Sequence, residues 1–149
     1  MWFMNKIINP VVRLILRSPF HGLLSGAVLL ITYRGRKSGK EYTLPVQHVQ
    51  VDQVVYIVPG APEKKTWWRN LLGGSAVTLT LKGKSLKGSA LVLKGNVEAA
   101  TDPLCHYFRR FPPSAKLHGV RLESDGSCNA QDLQKAAQSI FVVKVELGD

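Results

Sequence analysis

The sequence predicts one mainly β domain, a small barrel with helices at its periphery. Short segments of β-favouring residues recur from residue 27 onward, and turns rich in glycine and proline separate them. Helical patterns occur only at the start, at one break in the middle and towards the end. The chain has 149 residues, of which 45% are hydrophobic and 20% charged, so we expect a single globular domain over residues 1–149.

The first predicted element is an amphipathic helix over residues 4–18. Apolar residues cover one side, and Pro19 closes its far end. Such a basic helix either lies on an anionic membrane surface or packs against the barrel or a partner subunit. No membrane span is predicted, because Arg17, Pro19 and His21 interrupt the longest apolar stretch, residues 14–31.

The barrel is expected over residues 27–147. Its predicted strands cover residues 28–32, 42–51, 54–58, 76–81, 85–93 and 140–147. A short helix over residues 67–72 follows Thr66, which we expect to cap it, and two further helices are predicted over residues 102–110 and 129–139. Pro103 is expected in the first turn of the former, and Phe111-Pro112-Pro113 is expected to end it.

The charge favours an anionic partner. Twenty Lys and Arg against ten Asp and Glu give a net charge of +10, and eleven of the basic residues lie between Arg34 and Lys94, with three acids. Such an excess attracts nucleic acid, anionic lipid or small molecules that carry phosphate or carboxylate groups. Nucleic acid is disfavoured, because aromatic residues do not alternate with Lys and Arg on any predicted sheet face.

The two cysteines, Cys105 and Cys128, are too few for a disulfide framework and indicate a reducing, cytoplasmic setting. With His106 and His118 they lack the spacing of metal ligands, so no metal site is predicted. His48 lies among apolar residues of a predicted strand and is interpreted as structural.

A basic turn, Gly-Arg-Lys-Ser-Gly-Lys at residues 35–40, joins the first two predicted strands. Glycines allow the positive φ angles at which successive backbone N–H groups converge on an anion. Arginine adds a bidentate fork, lysine a mobile charge and serine a hydroxyl. The turn therefore either binds an anionic group or is an ordinary solvated loop.

A second motif, Trp67-Trp68-Arg69-Asn70, falls on the short helix. Adjacent tryptophans on one helical turn point in different directions, so we expect one to pack inward and the other to line a cleft. The alternative is that both rings only seal the helix onto the barrel.

The ordered set of motifs resembles the deazaflavin (F420)-dependent nitroreductase and quinone reductase family of the FMN-binding split-barrel superfamily. The set comprises a buried strand, the GRKSG turn, Thr43-Leu44-Pro45, Gly60-Ala61, the Trp67–Leu71 segment and Val77-Thr78-Leu79. The resemblance implies a split β-barrel, coenzyme F420, and hydride transfer to a quinone-like, nitro or other conjugated small molecule.

The same resemblance assigns cofactor-binding roles to nine residues and requires no catalytic side chain. The phosphate end would lie at Arg36, Lys37, Ser38 and Gly39, while Pro45, Ile57, Val58, Trp67 and Asn70 would border the ring or its linker. The family's arginine just after the turn is replaced here by Tyr42, its lysine at the end of the third strand by Val58, and residues 111–117 lack the tyrosines of the best-studied relatives.

The resemblance also suggests a homodimer. Alternatives of the same fold are an FMN- or haem-binding barrel. A different class of function would be a non-catalytic protein that binds a cofactor or contacts a membrane through residues 1–18.

Overall fold

A computed structural model describes residues 28–59, 66–81 and 84–148. The described chain forms seven strands: β1 (Val28–Arg34), β2 (Glu41–Gln47), β3 (Val49–Val51), β4 (Val54–Ile57), β5 (Ser75–Leu81), β6 (Lys84–Lys94) and β7 (Phe141–Leu147). A 3₁₀ helix covers Trp67–Leu71, between β4 and β5. Three α-helices lie between β6 and β7: α1 (Val97–Arg110), α2 (Pro112–Leu117) and α3 (Ala130–Ala137). The helix predicted over residues 4–18 lies outside the described residues.

The strands form one antiparallel sheet in the order β2-β1-β5-β6-β7-β4-β3. Its two edge strands are consecutive parts of one segment, because only His48 separates β2 from β3. β2 pairs with β1 and β3 pairs with β4, so the bend at His48 curls the sheet towards a barrel. The prediction of a mainly β, split-barrel fold is confirmed.

Two apolar clusters hold the fold together. Inward-facing strand residues and both tryptophans fill the barrel, where residues such as Leu29, Ile31, Leu79 and Val143 are fully buried. The second cluster lies between the outer face of the sheet and the helices, with Leu104 and Phe108 of α1 at its centre.

Several predicted boundaries are wrong for identifiable reasons. The strand predicted over residues 42–51 is divided at His48, since the bend changes its pairing partner. α1 begins at Val97 instead of residue 102, because the Asn96 side chain accepts a hydrogen bond from Ala99 N–H and caps it. Pro103 therefore lies inside the helix.

The chain after α1 also differs from the prediction. Phe111-Pro112-Pro113 does end α1, but a new helix starts directly at Pro112, where proline's fixed φ suits a first turn. At the Trp67–Leu71 helix, Thr66 makes no side-chain cap hydrogen bond. The hairpin predicted from residues 76–81 and 85–93 is present. β5 begins one residue earlier than predicted, and β6 is one residue longer at each end.

Candidate functional site

Most of the predicted site residues lie at one end of the barrel. β1, β6 and β4 finish at this end, while the antiparallel β2, β5 and β7 begin there. The basic turn connects β1 to β2, the Trp67–Leu71 helix packs against β1 and β6, and β4 ends at Ile57. The two motifs that the sequence singled out therefore share one end of the barrel.

The two glycines of the turn are required for different reasons. Gly39 has φ +69°, a left-handed conformation that favours glycine. At Gly35 an added Cβ would lie 2.8 Å from Ser38 Oγ and 2.9 Å from Tyr42 Cε2, so a side chain there would collide with its neighbours. Gly35 N–H donates to Lys40 O at 2.8 Å, and Gly39 N–H donates to Gly35 O at 2.9 Å. The turn is thus internally fixed.

The tip of the turn presents donors to solvent. Arg36, Lys37, Ser38 and Lys40 are exposed. The backbone N–H groups of Lys37 and Ser38 have no acceptor among the described residues. These consecutive N–H groups lie beside the cations Arg36, Lys37 and Lys40, a combination that suits a phosphate or carboxylate group. The Ser38 hydroxyl has a different role, because its Oγ accepts a hydrogen bond from Lys40 N–H at 3.2 Å and so helps to shape the turn.

A side-chain bridge joins the turn to the tryptophan helix. Arg36 N–H donates to Asn70 Oδ1 at 3.0 Å, and Arg36 Nη1 donates to Arg69 O at 3.2 Å. Asn70 Nδ2 in turn donates to Trp67 O at 2.9 Å. Of the predicted site residues, Arg36, Asn70 and Trp67 are therefore brought together, and Asn70 fixes where the turn points.

Both tryptophans are buried, each only 5% exposed, so the expectation that one lines a cleft is wrong. The ring of Trp67 lies 5.9 Å from that of Tyr33, and the ring of Trp68 lies 4.2 Å from that of Phe141. The helix covers the end of the barrel, and both rings pack into the apolar cluster that fills the barrel.

Of the residues predicted for the ring end, Pro45, Ile57 and Val58 do not all face the barrel interior. Ile57 lies inside the barrel, while Val58 belongs to the cluster beneath the α-helices. Pro45 faces away from the barrel interior, because its neighbours Leu44 and Val46 pack inward.

Tyr33 and Tyr42 are site residues whose contribution the sequence reasoning missed. They lie opposite each other on β1 and β2, and their rings stack at 5.7 Å. Tyr42 OH lies 3.3 Å from Ser38 Oγ, so the residue that replaces the family's arginine supports the turn. Burial, with a smaller contribution from Tyr42, raises the pKa of Tyr33 to about 12. Pairing the strands symmetrically about the turn would have revealed this stack.

The described ranges contain no group of three His, Cys, Asp or Glu side chains that could hold a metal ion. Within the same ranges, no helix is long and apolar enough to cross a membrane.

Comparison with known proteins gives the chain's relatives. The model of the family described as F420H(2)-dependent quinone reductase matches residues 17–109. A solved structure described as a domain-swapped dimer has a TM-score of 0.60 at 21% identity, covering 96% of this chain and 98% of its own. A solved F420-H2 dependent reductase (FDR-A) has a TM-score of 0.55 at 22% identity, covering 80% of this chain and 94% of its own.

No curated protein matches the chain. At these identities the two structures establish the fold, whereas the family model covers more than half of the sequence. The chain therefore belongs to the F420H2-dependent quinone reductase family, which makes it an F420-dependent oxidoreductase with coenzyme F420 as its cofactor.

Proposed function

We propose that the protein transfers a hydride from reduced F420 to a quinone-like, nitro or other conjugated small molecule, and that the Gly35–Lys40 turn holds the anionic tail of the cofactor. The observation that carries the second part is the Arg36–Asn70 hydrogen bond of 3.0 Å. It fixes a cationic, donor-rich turn beside the apolar end of the barrel, so that a ligand with an anionic tail and a flat apolar ring could use both.

The chemistry of the turn suits such a tail. F420 carries a phosphate and glutamate carboxylates, and charged oxygens form their strongest hydrogen bonds with cationic or convergent donors. In this proposal the backbone N–H groups of Lys37 and Ser38 bind the phosphate, and the Arg36 and Lys37 side chains neutralise it. Gly39 is needed for its conformation, and Lys40 adds charge next to it.

Position and resemblance support the ring end. Trp67 forms part of the apolar end of the barrel, and Ile57 and Val58 lie at and just beyond the end of β4, at the same end of the sheet as the turn. They remain predicted neighbours of the ring. Pro45 also remains a prediction, supported by its place in the family motif alone.

The bound deazaflavin supplies the hydride carrier, so the protein's own part is to bind, orient and exclude water. No side chain is proposed as nucleophile or general acid. The buried rings of Trp67 and Tyr33 keep the adjacent end of the barrel apolar and give the turn a rigid base.

The substrate class is tested by a direct assay. Oxidation of F420H2 is followed with the purified protein and a water-soluble quinone, a nitroaromatic compound or neither. Acceptor-dependent oxidation supports the proposed reaction. Binding of F420 without turnover of any acceptor would instead favour a non-catalytic cofactor-binding protein.

We also propose a homodimer, on the support that a similar fold is described as a domain-swapped dimer. Light scattering after size-exclusion chromatography tests it. The alternative role of residues 1–18 as a membrane contact is proposed from their sequence only. Co-sedimentation with anionic vesicles, lost on deleting residues 1–18, would support that role.

A further inference from the structure

Cys105 and Cys128 are brought together although 23 positions separate them. Cys105 lies in α1, and Cys128 ends the loop that follows α2, where it forms an isolated β-bridge with Leu122. The Cys128 thiol donates to Cys105 O at 3.7 Å. Both side chains are partly exposed, so small reagents can reach them.

We propose that Cys105 and Cys128 form a modification site, a thiol pair that closes to a reversible intramolecular disulfide on reaction with low-molecular-weight disulfides. The number of cysteines argues against a framework of permanent structural disulfides, but it does not bear on a reversible disulfide. A reversible pair needs only two neighbouring, accessible thiols of suitable geometry.

The reaction balances as an ordinary two-step exchange. The Cys105 thiolate attacks one sulfur of the small disulfide, whose S–S bond breaks and releases the first small thiolate. Cys128 then attacks the Cys105 sulfur of the mixed disulfide and releases the second. The protein loses two electrons and two protons, and the small disulfide takes them up as two thiols.

The environment favours this order of attack. Burial, together with its interactions with Cys105, raises the pKa of Cys128 to about 12, so Cys128 remains a protonated thiol at neutral pH. Arg109, one turn after Cys105 on α1, acts on Cys128 in the opposite direction. Its positive charge would help Cys128 to lose its proton in the second step.

Closure would connect α1 to the loop between α2 and α3. That loop supplies Val120, Arg121 and Leu122 to a cavity of about 420 Å³, whose other wall includes Pro112 and Ala115. A bond at Cys128 fixes the residue that bridges to Leu122, and hence this wall. The oxidised form should therefore be more resistant to unfolding, since the cross-link restricts the unfolded chain.

The experiment uses the full-length reduced protein and oxidised glutathione. The wild type should lose the mass of two hydrogens, give a cross-linked Cys105–Cys128 peptide, and gain about 5–10 °C in melting temperature. Dithiothreitol should reverse all three changes. Cys128→Ser should instead retain one glutathione adduct, and it should form that adduct faster than Cys105→Ser does.

Contrary results are equally specific. A wild type that ends with two glutathione adducts, or with covalent dimers, would overturn the pair. Equal rates of adduct formation in the two single variants would overturn the order of attack. The double variant Cys105→Ser/Cys128→Ser controls for effects of glutathione elsewhere, and its mass and melting temperature should not change.

Discussion

The side-chain amide of Asn70 accepts a hydrogen bond from the backbone N–H of Arg36 at 3.0 Å. Its other polar atom, Nδ2, donates to Trp67 O at 2.9 Å. Both ends of the amide are thus engaged within the protein. In our account Asn70 contributes to cofactor binding by holding the basic turn against the tryptophan helix.

Replacing Asn70 with alanine should weaken F420 binding about tenfold, because a net hydrogen bond contributes about 1 kcal/mol and the turn loses its fixed position. The dissociation constant is measured by fluorescence titration. Asn96→Ala is the matched control: it removes the hydrogen bond from Ala99 N–H at 3.1 Å and should cost about 1 kcal/mol of stability. If both variants weakened F420 binding equally, the bridge would have no special role.

Gly35→Ala should also weaken F420 binding. The new Cβ would lie 2.8 Å from Ser38 Oγ and must displace it, which distorts the tip of the turn. Gly126→Ala provides the comparison, since Gly126 has φ +86° and open space around its Cβ position. That control should lose about 1 kcal/mol of stability and keep wild-type affinity. Unchanged affinity in Gly35→Ala would show that the tip does not contact the cofactor.

Stability should fall at alkaline pH because of two buried tyrosines. Burial raises the pKa of both Tyr33 and Tyr107 from 10.0 to about 12. The unfolded chain therefore loses these protons at lower pH than the folded chain does. Their contribution to stability is complete below pH 10 and is lost as the pH rises towards about 12.

Denaturant unfolding measured at several pH values from neutrality to pH 12 checks this. Tyr33→Phe and Tyr107→Phe should each reduce the steepness of the decline above pH 10. The ultraviolet absorbance of tyrosinate in the folded protein offers a second readout. Ionisation of all four tyrosines near pH 10 would contradict the burial argument.

The strands were predictable because their local signals agree with their environment. β5 alternates apolar and polar residues, and its inward residues are the apolar ones, as the sheet requires. The division at His48 was not predictable, since β-favouring residues continue across it and only the change of pairing partner reveals the bend. α2 was missed because two prolines resemble a chain break as much as a helix start.

The site was predicted less completely than the fold. The composition of residues 35–40 identifies a turn suited to anions, but the contact of Arg36 with Asn70 spans 34 positions and no local pattern encodes it. The burial of both Trp67 and Trp68 also depends on the open end of the barrel, which exists only after the strands assemble. Only the family resemblance linked the basic turn to the tryptophan helix before the structure was known.

The central claim is that the basic turn holds the anionic tail of F420. The decisive measurement is a fluorescence titration with F420 of Arg36→Ala/Lys37→Ala beside Lys84→Ala/Lys87→Ala. Each variant removes two positive charges, but Lys84 and Lys87 are exposed residues in the half of β6 remote from the turn.

We predict that the turn variant binds F420 at least about 100-fold more weakly, since hydrogen bonds to charged groups contribute about 1.5–3 kcal/mol each. The β6 variant should change affinity less than about threefold, mainly through long-range charge. Equal losses in the two variants, or wild-type affinity in the turn variant, would contradict the account.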